Sequence, residues 1–212
     1  MTGTGAKFCL EASGLGCVRD DRSLFEDLSF RLSSGQVLLL EGRNGSGKTS
    51  LLRLLCGMRQ PDAGEIRWDG EDIFRLGPDY HTHIAYVGHK DGVKHDLTAF
   101  ENLKLARGLA APNLDTSIED ALRQVELWGF DDVAARNLSA GQQRRLALAR
   151  LLVTRANLWI LDEPFTSLDS RGIAIVEALF SNHVAHGGML AVTSHHQVQL
   201  GDAATICIDL SS

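Results

Sequence analysis

Residues 42–49 read Gly-Arg-Asn-Gly-Ser-Gly-Lys-Thr, the pattern G-x-x-x-x-G-K-[ST]. No other stretch limits the fold so strongly. Such a loop cradles phosphate only where a buried strand delivers the chain to it and a helix carries the chain away. Both flanks comply. Val37-Leu38-Leu39-Leu40 is a short apolar run bounded by Gly35 and Gly42, which suits a parallel strand covered on both faces. Ser50-Leu51-Leu52-Arg53-Leu54-Leu55-Cys56 is helix-compatible, and Gly57 can end it. Gly42, Gly45 and Gly47 let the backbone curl so that successive N–H groups point at one centre, and the helix start adds positive dipole. Arg43, Asn44, Ser46 and Ser50 complete the cradle. Lys48 is placed to charge-pair with the β- and γ-phosphates, and Thr49 to offer a hydroxyl to Mg²⁺. The motif specifies binding of a nucleoside triphosphate. It leaves open what the energy is used for.

The length of 212 residues suits a single domain over 1–212 with a small insertion. A net charge of −6 argues against nucleic acid as a partner, because phosphate backbones select basic surfaces. The adjacent pair Arg144-Arg145 reads as an exposed helix face. Cys9, Cys17, Cys56 and Cys207 are scattered and form no C-x-x-C, so neither a zinc site nor a covalent haem box is written here. They are expected to be reduced, mostly buried thiols. No apolar run approaches the ~18 residues of a membrane span, and Met1–Gly5 is short and polar rather than an export signal. Work at a membrane would therefore need a partner to hold the chain there.

Along the chain, Leu28, Phe30 and Leu32 alternate with polar neighbours, and Ser33-Ser34-Gly35 turns into the Val37 strand. This predicts a hairpin and an antiparallel layer beside a parallel core. Glu65–Gly70 and Ile84–Val87 are further short strands. From about Thr98 to Phe130 the pattern becomes helical, with Phe100, Leu103 and Ala106 on one face and Ile118, Ala121, Leu122 and Val125 on another. The expected fold is therefore α/β. A phosphate-loop core with a mixed sheet occupies 1–89 and 137–212, and a helical subdomain occupies 90–136. A helix follows from about Gly172 to His186, with strands at Leu158–Leu161, Leu190–Thr193 and Thr205–Leu210.

Leu158-Trp159-Ile160-Leu161 is an apolar strand that ends in Asp162-Glu163-Pro164. Ligands of parallel sheets sit at the carboxyl ends of strands. Asp162 is thus expected near the phosphate loop, holding Mg²⁺ through water, and Glu163 facing the γ-phosphate as general base. A second phosphate-seeking feature precedes a long helix: Leu138-Ser139-Ala140-Gly141-Gln142, where Ser139 and Gln142 have capping-box spacing. It is surplus to one nucleotide, and makes sense if it caps the nucleotide of another subunit.

These motifs, with Ser167-Leu168-Asp169 and a histidine after the strand Leu190–Thr193, resemble the nucleotide-binding subunits of ABC transporters over nearly the whole chain. The resemblance implies ATP, Mg²⁺ and a head-to-tail homodimer. Each ATP lies between one subunit's Gly42–Thr49 and the other's Ser139, Gly141 and Gln142, with Asp169 at the interface. It implies a catalytic set of Glu163, Lys48 and a switch histidine, His195 first and His196 as the fallback. Arg19–Phe25, Val87–Lys94, Leu138–Leu151 and Gly187-Gly188-Met189 resemble more narrowly the CcmA family of cytochrome c biogenesis ATPases. That family implies an ATPase for haem handling, by release of haem-loaded chaperone or by haem export. It acts on the cytoplasmic face of a bacterial inner membrane, with a CcmB-like multi-spanning subunit, CcmC-like and haem-chaperone partners, and no haem site of its own.

Two positions depart from the general ABC pattern. Arg19 stands where an adenine-stacking aromatic is usual, and stacks through its guanidinium plane. His89 stands where a γ-phosphate-sensing glutamine is usual. His81, His83, His95, His183 and His186 read as surface or capping histidines. The alternatives are an ATPase of another small-substrate transporter or a soluble ABC-type assembly factor. A GTP switch lacks its Asn-Lys-x-Asp element.

Overall fold

The computed structural model describes residues 7–194 and 198–211. Two sheets form the frame. The strands β1 (Cys9–Arg19), β2 (Arg22–Ser33), β4 (Ala63–Trp68) and β5 (Glu71–Asp72) make an antiparallel sheet in the order β2-β1-β4-β5. The parallel sheet has the order β6-β7-β8-β3-β9, from β3 (Gln36–Glu41), β6 (Ile84–Val87), β7 (Leu158–Asp162), β8 (Met189–Thr193) and β9 (Ala204–Asp209). The helices are α1 (Lys48–Leu55), α2 (Ile73–Leu76), α3 (Pro78–His81), α4 (Ala99–Leu109), α5 (Ile118–Gln124), α6 (Ala140–Ala149) and α7 (Ser170–Ala185). β7 and β8 are buried at every position, which is why they read as unbroken apolar runs.

The parallel sheet is a wall with a core on each face, because side chains alternate along a strand. Leu38, Leu40, Leu158 and Ile160 pack with α1 and the antiparallel sheet. Val37, Trp159, Leu161 and Val192 pack with α4, α6 and α7. The predicted hairpin is corrected here. Gly35 does make the turn (φ 80°), but β2 pairs with β1 whereas β3 pairs with β8 and β9. The half-exposed alternation of β2 suits a sheet with one wet face, and the apolar β3 suits the covered one. The tight turn between β1 and β2 uses Asp20 and Asp21, both left-handed (φ 51° and 57°), as a two-residue hairpin loop requires.

A second correction concerns Arg144. It is buried, not on an exposed face, because its guanidinium turns inward to the chain that follows β6 and β7. Arg145 is also largely covered and donates to the carbonyls of Val125 at 2.7 Å and Glu126 at 3.3 Å. In the first turn of α4, Asn102 is buried and ties down the approaching chain. Its amide bonds the backbone of Lys94 in both directions and the carbonyls of Leu97 and Thr98. Cys17 and Cys56 are buried free thiols, Cys9 is partly covered and Cys207 is exposed.

His183 is no surface histidine. Its ring stacks on Trp159 with centroids 3.8 Å apart and planes 5° from parallel, and Nε2 lies 3.1 Å from the Met189 carbonyl. Burial holds its pKa down, from 6.5 to about 4. The neutral ring belongs to the fold and the charged ring to the unfolded chain. Stability is therefore fully present above about pH 6.5 and is lost as pH falls toward 4, by about 3 kcal/mol in all. His183→Phe, which keeps a stacking ring without a titratable group, should flatten the fall of Tm between pH 7 and pH 4.5. An unchanged slope would exclude this histidine as its cause.

Candidate functional site

The loop 42–47 joins the end of β3 to α1, so the strand aims the chain at the sheet's carboxyl edge and the helix leaves from there. Gly47 caps α1 at φ 108°, and a Cβ there would stand 3.1 Å from Leu24 Cβ. Only glycine meets both constraints. Lys48 is 8% exposed, and its ammonium donates to the carbonyls of Gly42 at 2.6 Å and Arg43 at 3.2 Å.

β7 brings Asp162 to the same edge. This carboxylate is 3% exposed, and a hydroxyl serves each of its oxygens. Thr49 Oγ1 donates to Oδ2 and Thr193 Oγ1 to Oδ1, both at 2.8 Å. The Glu163 N–H donates to Thr193 Oγ1 at 2.9 Å. Thr193 thus links both carboxylate residues to β8. Sequence reasoning missed it, although a signal existed: a hydroxyl ends the apolar run of β8 in register with Asp162.

A cleft of about 490 Å³ runs over this edge. Arg19 and Leu24 line one part of it, as do Arg43, Asn44, Gly45 and Gly47 to Ser50; His89, Asp162, Glu163 and Thr166 complete it. Two expected loop residues are not on its lining. Gly42 starts the loop, and Ser46 has a buried Oγ without a partner among the described residues. The donor set fits a hard divalent cation. Thr49 and Asp162 offer oxygen atoms, as Mg²⁺ prefers.

Ser139, Gly141, Gln142 and Asp169 do not line the cleft. Ser139 and Gln142 form the capping box at the start of α6, with Gln142 N to Ser139 Oγ 3.2 Å and Ser139 N to Gln142 Oε1 2.9 Å. Gly141 lies against the Ser167 carbonyl, which a Cβ would meet at 2.9 Å. Asp169 caps α7 through the Gly172 N–H at 2.7 Å. One chain therefore brings Gly141 against Ser167 without placing Ser139–Gln142 or Asp169 on the lining of its own cleft. His195 and His196 lie outside the described residues.

The family model of the ABC transporter matches residues 25–166. The cytochrome c biogenesis ATP-binding export protein CcmA of Methylococcus capsulatus is 51% identical over 92% of this chain and 95% of its own. That of Nitrosospira multiformis is 48% identical over the same shares. This chain belongs to the ABC transporter family, on its CcmA branch. A Pyrococcus furiosus protein described as an ABC transporter ATP-binding protein shares the fold at a TM-score of 0.82, with 25% identity over 95% of this chain and 97% of that one. The ABC reading makes the chain an ATP-binding, ATP-hydrolysing subunit, and the expected α/β phosphate-loop fold is the one found. Among the described residues, no helix is long and apolar enough to cross a membrane.

Proposed function

We propose that two copies of this chain close head to tail around two ATP molecules and power haem handling in c-type cytochrome biogenesis. The step is release of a haem-loaded chaperone or export of haem. One observation carries the two-copy site: the second phosphate-seeking helix start, at Ser139, is not on the cleft that holds the first. Facing another copy's cleft, Ser139, Gly141 and Gln142 would close over that copy's phosphates, with Asp169 beside them. The CcmA relatives support the pathway, since they share most of both chains with this one.

In this reading the loop from Gly42 to Ser50 binds the phosphates, and Lys48 moves its charge from two carbonyls to the β- and γ-oxygens. Thr49 and Asp162 hold Mg²⁺, which offsets phosphate charge when bound. Glu163 accepts the proton of the attacking water, and a histidine at 195 or 196 holds the γ-phosphate. Arg19 stacks on the base. His89 senses the γ-phosphate and hands the change to the helical subdomain 90–136, through the segment that Asn102 anchors.

An apolar groove of about 370 Å³ between β6 and α4 includes Ala85, Val87, Leu105, Ala106 and Leu109. It supports docking of a CcmB-like membrane subunit, with CcmC-like and haem-chaperone partners in the same complex. The chain would then sit on the cytoplasmic face of the inner membrane. His89→Ala as the only copy should retain ATP binding and lose c-type cytochromes, scored by haem staining. Normal staining from a hydrolysis-dead Glu163→Gln copy would exclude the haem pathway and leave another transporter as the task.

A further inference from the structure

Arg144 lies in the second turn of α6, and its side chain is 3% exposed. A guanidinium carries five N–H donors. Here the structure pairs the group with five acceptors. Nε donates to the Pro164 carbonyl at 3.1 Å. Nη1 donates to the Gly88 carbonyl at 3.0 Å and to Asp91 Oδ1 at 2.6 Å. Nη2 donates to the carbonyls of Asp162 at 2.9 Å and Glu163 at 2.8 Å. All five acceptors belong to two segments: the end of β7 that carries Glu163, and the loop that carries His89. At the far end of α6, Arg150 donates to the Asp91 carbonyl at 2.8 Å, so the same helix grips the His89 loop twice.

Three consecutive carbonyls can face one guanidinium because the chain reverses at Glu163. Its φ of 51° is left-handed, a conformation that a non-glycine residue keeps only when its surroundings impose it. A charge this buried is tolerated only when fully paired, so the partners are fixed as firmly as the arginine.

We propose that Arg144, with Asp91 as its counter-ion, is a positioning residue. It locks the Glu163 turn and the His89 loop onto the helix that starts at Ser139, so that these three parts of the reaction site move as one body. The proposal rests on the roles given above to Glu163 and His89. Lysine cannot stand in, because its three donors radiate from one nitrogen and cannot span both segments.

The test uses the full chain with Mg-ATP and reads kcat, ATP affinity and Tm together. Arg144→Lys should lower kcat about a hundredfold, as a misplacement of about 1 Å does. Asp91→Asn keeps the shape and an acceptor oxygen, and should give a smaller loss of the same kind. In both, Tm should fall, because buried pairing is lost, while ATP affinity of the folded protein should hold. Unchanged kcat in a folded Arg144→Lys overturns the proposal, and so does a fall of kcat matched by an equal loss of ATP affinity. If Arg144→Lys does not fold, Asp91→Asn decides on the same readouts. Glu163→Gln serves as the control: turnover in that variant refutes the base assignment itself, whatever Asp91→Asn does.

Discussion

Glu163→Gln is expected to bind Mg-ATP, to hydrolyse it roughly 10²–10⁴-fold more slowly, and to elute from a sizing column as a dimer. Glutamine keeps the shape of the side chain but cannot accept a proton. It also removes one of two adjacent negative charges from a cleft that must take the γ-phosphate. Binding is thereby favoured while the step that reopens the dimer is blocked. Unmodified protein with ADP should run as a monomer. If the variant also runs as a monomer with Mg-ATP, the two-copy site is wrong.

Crossing two dead variants tests the same geometry differently. Lys48→Ala removes the ammonium that now bonds Gly42 and Arg43, and loss of one such stabilising contact typically costs about 10²–10³ in rate. Ser139→Arg fills the start of α6 and removes its cap. Each chain alone should be nearly inactive. In a mixed dimer, one composite site carries both lesions and the other carries neither. Hydrolysis by the mixture should therefore exceed that of either chain alone. Wild-type turnover by Ser139→Arg on its own would refute the trans arrangement.

The central strands β7 and β8 were legible because they are buried at every position. Residues of β6, β7 and β8 lie within one position of where their composition puts them. The phosphate loop and the Ser139–Gln142 capping box were equally legible, since each is a local pattern of turn, charge and hydroxyl. What the sequence concealed is long-range. A turn at Gly35 looks the same whether the chain pairs back on itself or crosses to another sheet, and only the partners of β3 decide. Arg144 was misread because charge usually marks a wet face. Its five acceptors come from segments 18–56 residues away, with four of them backbone carbonyls that no side-chain pattern betrays. Thr193 was passed over for the same reason: its worth depends on register with Asp162 across two strands.

The alternation along β7 has a further consequence. Ile160 leans toward α1 and the antiparallel sheet, while its neighbours Trp159 and Leu161 lean toward the helices on the other side. A single strand is thus read by two audiences, one that holds the nucleotide and one that carries Ser139 and Arg144. Trimming a methyl group from Ile160 and trimming one from Leu161 would be nearly identical edits in chemistry and adjacent in sequence. The first would loosen the seat of the triphosphate, and the second the lever that answers it.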